Sequence, residues 1–287
     1  TEDTSAILAS HPYAMPAELA ALTKIAGEFS VPLIFDAAAC LGAQLRGRSL
    51  ANYGHASVLS LHATKLFSPV EGGIVLSNHS AVLEQVRLAR NFGIERENDV
   101  VMVGTNAKID DFRAAFILAT LPELPAAIAR RRIIAMLYCE GLRLGLGHFD
   151  WSPTSVLEEL WSTPEFEPNY AYFPLRVPAC IRDTVFRSLR SQGVHARTYP
   201  HHAVTHSQIY APYIDRKKLP QTESASKESL CLPLHHTLSD EDVERIVRAT
   251  VLALSEAIEA ETRIAPRISL FTSNLTRASE HGSSCST

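Results

Sequence analysis

Three side chains in the first quarter of the chain have types and spacing suited to chemistry on a small aromatic cofactor. Asp36 closes the apolar run Val31-Pro-Leu-Ile-Phe, and Ser60 and Lys65, five positions apart, lie at and beyond the end of a second apolar run that begins at Ala56. In α/β proteins the ends of strands are where side chains meet a ligand. A carboxylate placed there keeps a pyridine nitrogen protonated, an amine condenses with an aldehyde, and a hydroxyl donates to a phosphate. Those are the three needs of pyridoxal 5'-phosphate (PLP). Singly, each residue says little, because an acid at a strand end often only caps the next loop and most lysines are solvated surface charges.

The elements that must carry these groups follow from periodicity. Residues 5–10 read as a short strand. Pro16 suits a first helical turn, and Leu19, Leu22, Ala26 and Phe29 follow at helical spacing. Val31 to Phe35 is too short for a helix and right for a strand buried on both faces. Further strands are predicted over 56–61 and 73–77, and a helix over 80–92 carries Val82, Val86 and Ala89 on one face. Strand, helix, strand implies a parallel α/β sheet. Asp110 is a good N-cap for a helix that buries Phe112, Ala115, Phe116 and Ala119 before Pro122, and residues 126–144 are again helical.

Beyond Gly145 the composition shifts, and residues 151–168 are rich in Pro, Ser and Glu. The cofactor-binding domain is therefore placed at 1–148 and a smaller α+β domain at 149–263. The smaller unit has a strand over 170–177, a helix over 182–192 with Val185, Phe186 and Leu189 inward and Gly193 closing it, and a strand over 194–199. Its last helix begins at Ser239, with Asp242 as the partner in a capping box, and aligns Val243, Ile246, Thr250, Leu254 and Ile258. Residues 264–287 are Ser/Thr-rich and aperiodic and read as a disordered tail.

Composition bounds the function. With 287 residues, 46% hydrophobic and 20% charged, the chain has material for one large core and a smaller one. The net charge of −4 and the lack of a dense Lys/Arg block argue against nucleic acid and favour a small-molecule partner. Cys40, Cys139, Cys180, Cys231 and Cys285 are scattered and never form C-x-x-C, which reads as reduced thiols in a cytoplasmic protein with no structural zinc. No apolar run approaches the roughly 20 residues that cross a bilayer, and Thr1-Glu2-Asp3 lacks the basic start of a signal peptide, so no membrane association is expected.

The wording around the three groups is more specific. D-A-A-A-C-L-G-A from Asp36, S-L-H-A-T-K from Ser60, E-G-G at 71–73, R-N-F-G at 90–93, V-G-T-N-A-K at 103–108 and A-A at 114–115 stand in that order. Tyr172-Phe-Pro-Leu-Arg176, Gln192-Gly-Val-His-Ala-Arg197 and Cys231-Leu-Pro-Leu-His235 follow. Together they resemble the DegT/DnrJ/EryC1/StrS aminotransferases over about residues 5 to 260. The resemblance implies a fold-type-I PLP-dependent transferase with a partial large domain. It would move an amino group from an amino acid, expected to be glutamate, to a nucleotide-linked keto-sugar.

By the same resemblance Lys65 tethers the cofactor and carries the proton, Asp36 pairs with the pyridinium nitrogen, Ser60 binds the phosphate and Ala38 packs on the ring. Asn106 would reach the phosphate of the neighbouring subunit, which implies a homodimer. Members that dehydrate their sugar have histidine in place of the lysine, so Lys65 favours transamination. Two positions depart from the pattern: Ala39 stands where a Gln or His helps hold the phenolic oxygen, and Val70 replaces the glycine before E-G-G. The family pattern also includes upstream strands and a phosphate-gripping loop. On that reading the chain is a fragment or a truncated gene product that binds the cofactor poorly. The alternative is a non-catalytic homologue acting as scaffold or subunit, or a degenerate gene product.

Other features take plainer readings. Adjacent histidines at 201–202 and 235–236, with His206, read as loop residues lining a substrate cleft rather than metal ligands. His62 reads as a packing or hydrogen-bonding residue under the cofactor, Arg130 to Arg132 as a solvated helix face that meets a nucleotide diphosphate only as a lesser alternative, and Asn274-Leu-Thr276 as an unused glycosylation match.

Overall fold

The chain folds around short parallel strands whose carboxyl ends share one edge. In a computed structural model the described residues are 3–66, 70–97, 99–149, 151–199, 203–215 and 218–264. Strand β1 (Ile7–Ser10) pairs in parallel with β2 (Leu33–Asp36) across helix α1 (Leu19–Glu28). In β2, Leu33 and Phe35 are buried and Ile34 half-buried, as an apolar run covered on both faces requires. Pro16 lies outside α1, correcting the expected start. The preceding loop folds over His11, whose ring Nδ1 accepts the Ala17 N–H at 3.0 Å, and the helix begins only after that. Phe29, expected on the inner face, follows the last helical turn and is exposed.

A small ribbon of β3 (Gln44–Leu45) and β4 (Arg48–Ser49) leads to β5 (Ala56–Ser60), which pairs in parallel with β2 so that Asp36 stands opposite Val58. Strand β6 (Gly73–Leu76) then runs antiparallel to β5, where a parallel sheet was expected throughout. The 12 residues between the two strands form a loop rather than a crossover helix, and only a crossover returns the chain in parallel. The order is β1-β2-β5-β6.

Helix α2 (Ser80–Arg90) is followed by the hairpin β7 (Ile94–Arg96) and β8 (Asp99–Val100). Here the R-N-F-G and V-G-T-N segments meet: a Cβ on Gly104 would lie 2.2 Å from the Gly93 nitrogen, closer than any side chain allows. Glycine at both places lets the backbones touch. The Ala107 N–H bonds to the Arg90 carbonyl at 2.9 Å, and Asn106 bridges to Asn91.

Helix α3 (Asp111–Thr120) is capped as expected, with Asp110 Oδ1 accepting the Arg113 N–H at 2.8 Å. Its expected inner face is not buried. Phe112 is 78% exposed and Phe116 41%, and no residue of the helix is fully covered by the described chain. Apolar spacing identifies a face to be covered but not what covers it. A short turn over 121–123 carries the chain directly into α4 (Leu124–Leu146). Where no apolar run of spanning length was expected, the joined stretch Asp111–Leu146 is by length and composition alone long and apolar enough to cross a membrane, a test that core helices of soluble proteins also pass.

The region beyond α4 carries α5 (Ser155–Trp161) and β9 (Phe166–Glu167), which its Pro/Ser/Glu composition concealed. Then come β10 (Phe173–Arg176), α6 (Ala179–Ser191), α7 (Pro220–Glu228), β11 (Ser229–Leu232) and α8 (Asp240–Ile264). Gly193 closes α6 at φ +74°. Residues 194–199 do not form the expected strand and make one bridge, Arg197 to Cys231. The Ser239 cap holds: its Oγ accepts the Asp242 N–H at 3.1 Å and donates to the Asp242 carboxylate at 3.0 Å. Val243, Ile246, Thr250 and Leu254 of α8 are buried. One continuous core joins Ala37 and Cys40 beside the sheet to Tyr138 of α4, Phe173 of β10 and Leu254. The 264–287 tail and Asn274 lie almost entirely outside the described residues.

Candidate functional site

Because β1, β2 and β5 run parallel, Asp36 and Ser60 both arrive at the carboxyl edge of the sheet, the side on which open α/β sheets bind ligands. The next turns fold tightly: the Ala38 N–H bonds to Asp36 Oδ1 at 3.0 Å, and the Ser60 N–H reaches the Ala38 carbonyl at 3.2 Å. Asp36 Oδ2 has no hydrogen-bond partner among the described residues. Ser60 Oγ accepts the His62 N–H at 3.1 Å, and its own proton is left to donate. A turn in which the Lys65 N–H bonds to the His62 carbonyl at 2.8 Å then presents Lys65. The Lys65 amine has neither hydrogen bond nor ion pair among the described residues.

Asp36 and Lys65 do not pair, yet both act on Cys40. Burial pushes that thiol up to about 12; the Asp36 carboxylate adds to the rise, and the Lys65 ammonium opposes it. One buried side chain thus senses the acid and the amine together. Ala38 and Ala39 are half-buried between them in sequence, and the Ala39 carbonyl accepts Asn169 Nδ2 at 2.7 Å. Asn106 is exposed and shares no hydrogen bond with Asp36, Ser60 or Lys65. Backbone and side-chain hydrogen bonds thus join Asp36, Ala38 and Ser60, the turn at His62 leads from Ser60 to Lys65, and Asn106 takes no part in these bonds.

Beyond Lys65 opens a cleft of about 460 Å³. Tyr172 and Tyr199 stack in it with centroids 5.4 Å apart, and Arg131, Arg197 and His235 line it with Lys65. An adjoining cleft of about 610 Å³ shares Lys65, Arg131 and His235 and adds Arg130 and His236. The histidine pair 235–236 thus lines a cleft as expected. His206 instead pairs with Glu223 at 2.9 Å, and residues 201–202 lie outside the described ones. Arg131 corrects the reading of 130–132 as a solvated face: it is buried, and its Nη1 donates to the Tyr170 and Ala171 carbonyls at 3.1 and 3.3 Å. Burial lowers its guanidinium to about 10, which leaves it charged at neutral pH. Burial, then the charge of Arg131, lowers the pKa of His235.

A family model described as the DegT/DnrJ/EryC1/StrS aminotransferase family matches residues 1–251. The chain belongs to that family. It is 30% identical over 250 residues to the dTDP-4-amino-4,6-dideoxy-D-glucose transaminase of Shigella dysenteriae, a match covering 86% of this chain and 66% of that protein. Against the Escherichia coli transaminase of the same name it is 28% identical over 255 residues. Among solved structures, the aminotransferase TlmJ from Streptoalloteichus hindustanus superposes with TM-score 0.76 at 28% identity, covering 88% of this chain and 66% of that one. DesI, solved with its TDP-sugar product, gives 0.77 at 28% identity with 92% and 66% covered. The fold is thus that of the fold-type-I aminotransferases, and the chain spans about two thirds of the length of these relatives.

Within this family frame, His11 is a residue that sequence reasoning passed over. It follows β1 directly, stacks on Phe35 at 4.4 Å and is 3% exposed, with Nε2 lacking a partner. Burial drives its pKa down to about 4, although the Asp36 carboxylate pulls the other way. The unfolded chain takes up a proton near pH 6.5 that folded His11 refuses until about pH 4. The stabilisation is therefore complete above pH 6.5 and lost as pH falls toward 4. His11→Asn, which retains an acceptor for the Ala17 N–H, is expected to flatten that loss by roughly 1–3 kcal/mol in urea titrations between pH 7 and 4.5. Identical pH profiles would show that His11 does not titrate in this way.

Proposed function

We propose that this chain acts as a PLP-dependent aminotransferase that moves an amino group from an amino acid, expected to be glutamate, to a keto-sugar carried on a nucleotide. The observation that supports it most is geometric: parallel β2 and β5 bring Asp36 and Ser60 to one carboxyl edge, where the Ser60 N–H bonds to the Ala38 carbonyl at 3.2 Å and the turn that follows presents Lys65. The donor set suits the cofactor: a carboxylate with one free oxygen, an unpaired amine and a hydroxyl with a proton to donate. Bound PLP would supply an aldehyde and an electron-withdrawing ring, chemistry that no side chain provides. Asp36 Oδ2 would hold the ring nitrogen protonated, Ser60 Oγ would donate to the phosphate, and Ala38 would pack against the ring. Lys65 Nζ would tether the cofactor, act as the base that takes the proton from the donor α-carbon in the first half-reaction, and act as the acid that protonates the acceptor carbon in the second. Ala39 offers no polar side chain for the phenolic oxygen.

We place the active form as a homodimer in which a second copy covers the exposed face of α3 and Asn106 reaches the partner's phosphate site. Phe112, Phe116 and Leu118 are exposed a few residues after Asn106, which supports this arrangement. Cys40, Cys139, Cys180 and Cys231 are free, in keeping with the cytoplasm. The test is to add PLP, reduce with borohydride, map the modified peptide and weigh the product by light scattering. Label on Lys65 in a protein of two-chain mass is expected. A folded dimer unlabelled at Lys65 would instead favour the scaffold reading.

A further inference from the structure

The loop that joins β1 to α1 makes a turn that its residues resist. Tyr13 (φ 54°, ψ 24°) and Ala14 (φ 64°) stand side by side in the left-handed region. That conformation is costly for any residue with a Cβ and persists only where the surroundings over-determine it. Here they do: Ala14 and Met15 are buried, and the Met15 N–H bonds back to the Pro12 carbonyl at 2.9 Å. The turn delivers one side chain to one place. The Tyr13 hydroxyl donates to the carbonyl of Tyr199, 186 positions away. Its ring meets Tyr172 edge-on at 5.7 Å and Tyr199 at 6.3 Å.

Tyr172 and Tyr199 are the stacked pair that lines the cleft beside Lys65, whereas Tyr13 does not line that cleft and borders a separate cavity of about 330 Å³. The segment carrying Tyr199 is loosely tied. Among the described residues 194–199 make no strand, only the Arg197–Cys231 bridge, and the Cys231 Sγ reaches the Tyr199 carbonyl at 3.9 Å, a weak bond. We propose that Tyr13 is a clasp that reaches across from the loop after β1, fastens this segment and so sets the tyrosine stack beside Lys65. The kinetic consequence rests on the proposed transamination; the clasp itself does not. A bond to the Tyr199 backbone, with a ring edge against both stacked rings, fixes the pair in place and tilt. Without it one wall of the cleft shifts while Asp36, Ser60 and Lys65 keep their own bonds. Tyr13 is therefore a positioning residue, and substrate binding should suffer more than proton transfer.

Tyr13→Phe keeps the ring and removes only the hydroxyl. Hydrogen exchange of the full chain, read by mass spectrometry, is expected to speed up about three- to tenfold over 194–199, the loss of one hydrogen bond from a local opening, with α8 unchanged. In turnover the KM for both substrates should rise by a similar factor, with kcat held within about twofold. Ala14→Gly takes the same turn without strain and keeps the hydroxyl, so exchange and KM should stay at the parent values. Unchanged exchange over 194–199 in Tyr13→Phe, protection lost equally across α8, faster exchange with KM unmoved, or Ala14→Gly behaving as Tyr13→Phe does would each overturn the assignment. Borohydride labelling of Lys65 is read in parallel. Label together with any of those results removes only the role of Tyr13, whereas an unlabelled Lys65 removes the transaminase reading and leaves exchange to judge the clasp.

Discussion

Replacing Lys65 by methionine is expected to lower turnover by about 10²–10⁴-fold, the range that a positioned proton carrier contributes. The amine has no partner among the described residues. The substitution therefore breaks no hydrogen bond or ion pair among the described residues and keeps an unbranched stem of similar length, so stability should move by no more than about 0.5 kcal/mol. That separation makes the experiment decisive, because a fall in rate without a fall in urea midpoint assigns the loss to chemistry. Small primary amines in solution should restore part of the rate, since they return the missing base without the tether. Borohydride should no longer fix the cofactor to the peptide that contains position 65. Turnover within a few-fold of the parent protein would mean that another group moves the proton, and the role of Lys65 would fall.

The part of this site that a reader of the sequence can find is the part carried by short-range pattern. Val31 to Phe35 is legible as a buried strand because five apolar residues after a loop have few other uses, and it delivers Asp36 to a strand end. Asp110 and Ser239 are legible as caps because each side chain bonds a backbone N–H three residues on, a local event. What escapes is set by partners distant in sequence. Arg131 is one of three consecutive arginines, and nothing in that run says that it alone turns inward to carbonyls at 170 and 171. Residues 194–199 have the composition of a strand, but pairing is confined to one bridge at Cys231. His11 looks like a loop residue until its ring is found stacked on Phe35, and the signal available was its place just after an apolar strand. On α3 the apolar period is correct and the burial inferred from it is not, because periodicity describes one surface of a contact and leaves the other unspecified.

Tyr138→Ala is expected to cost about 3–5 kcal/mol, the range for truncating a large core aromatic. Tyr138 is fully buried on α4, packs edge-on against Phe173 at 4.9 Å, and donates its hydroxyl to the Pro233 carbonyl at 2.8 Å. It therefore ties the long helix to β10 and to the loop after β11 at once. Since small proteins retain only about 5–15 kcal/mol in total, a loss of that size would leave the variant partly unfolded at 37 °C. Tyr138→Phe keeps the ring and leaves only the Pro233 carbonyl without its donor, at about 1–3 kcal/mol. In urea titrations both variants should show lower midpoints at unchanged slope, with alanine the lower. The phenylalanine variant carries a second consequence. Pro233, Leu234 and His235 line the cleft beside Lys65 and Arg197, so freeing the Pro233 carbonyl loosens one wall of it. Tyr138→Phe should then raise the KM for glutamate in the proposed transamination by more than an equally destabilising substitution elsewhere, such as Leu254→Val on α8. An equal rise in the two would mean that the hydroxyl contributes to folding alone.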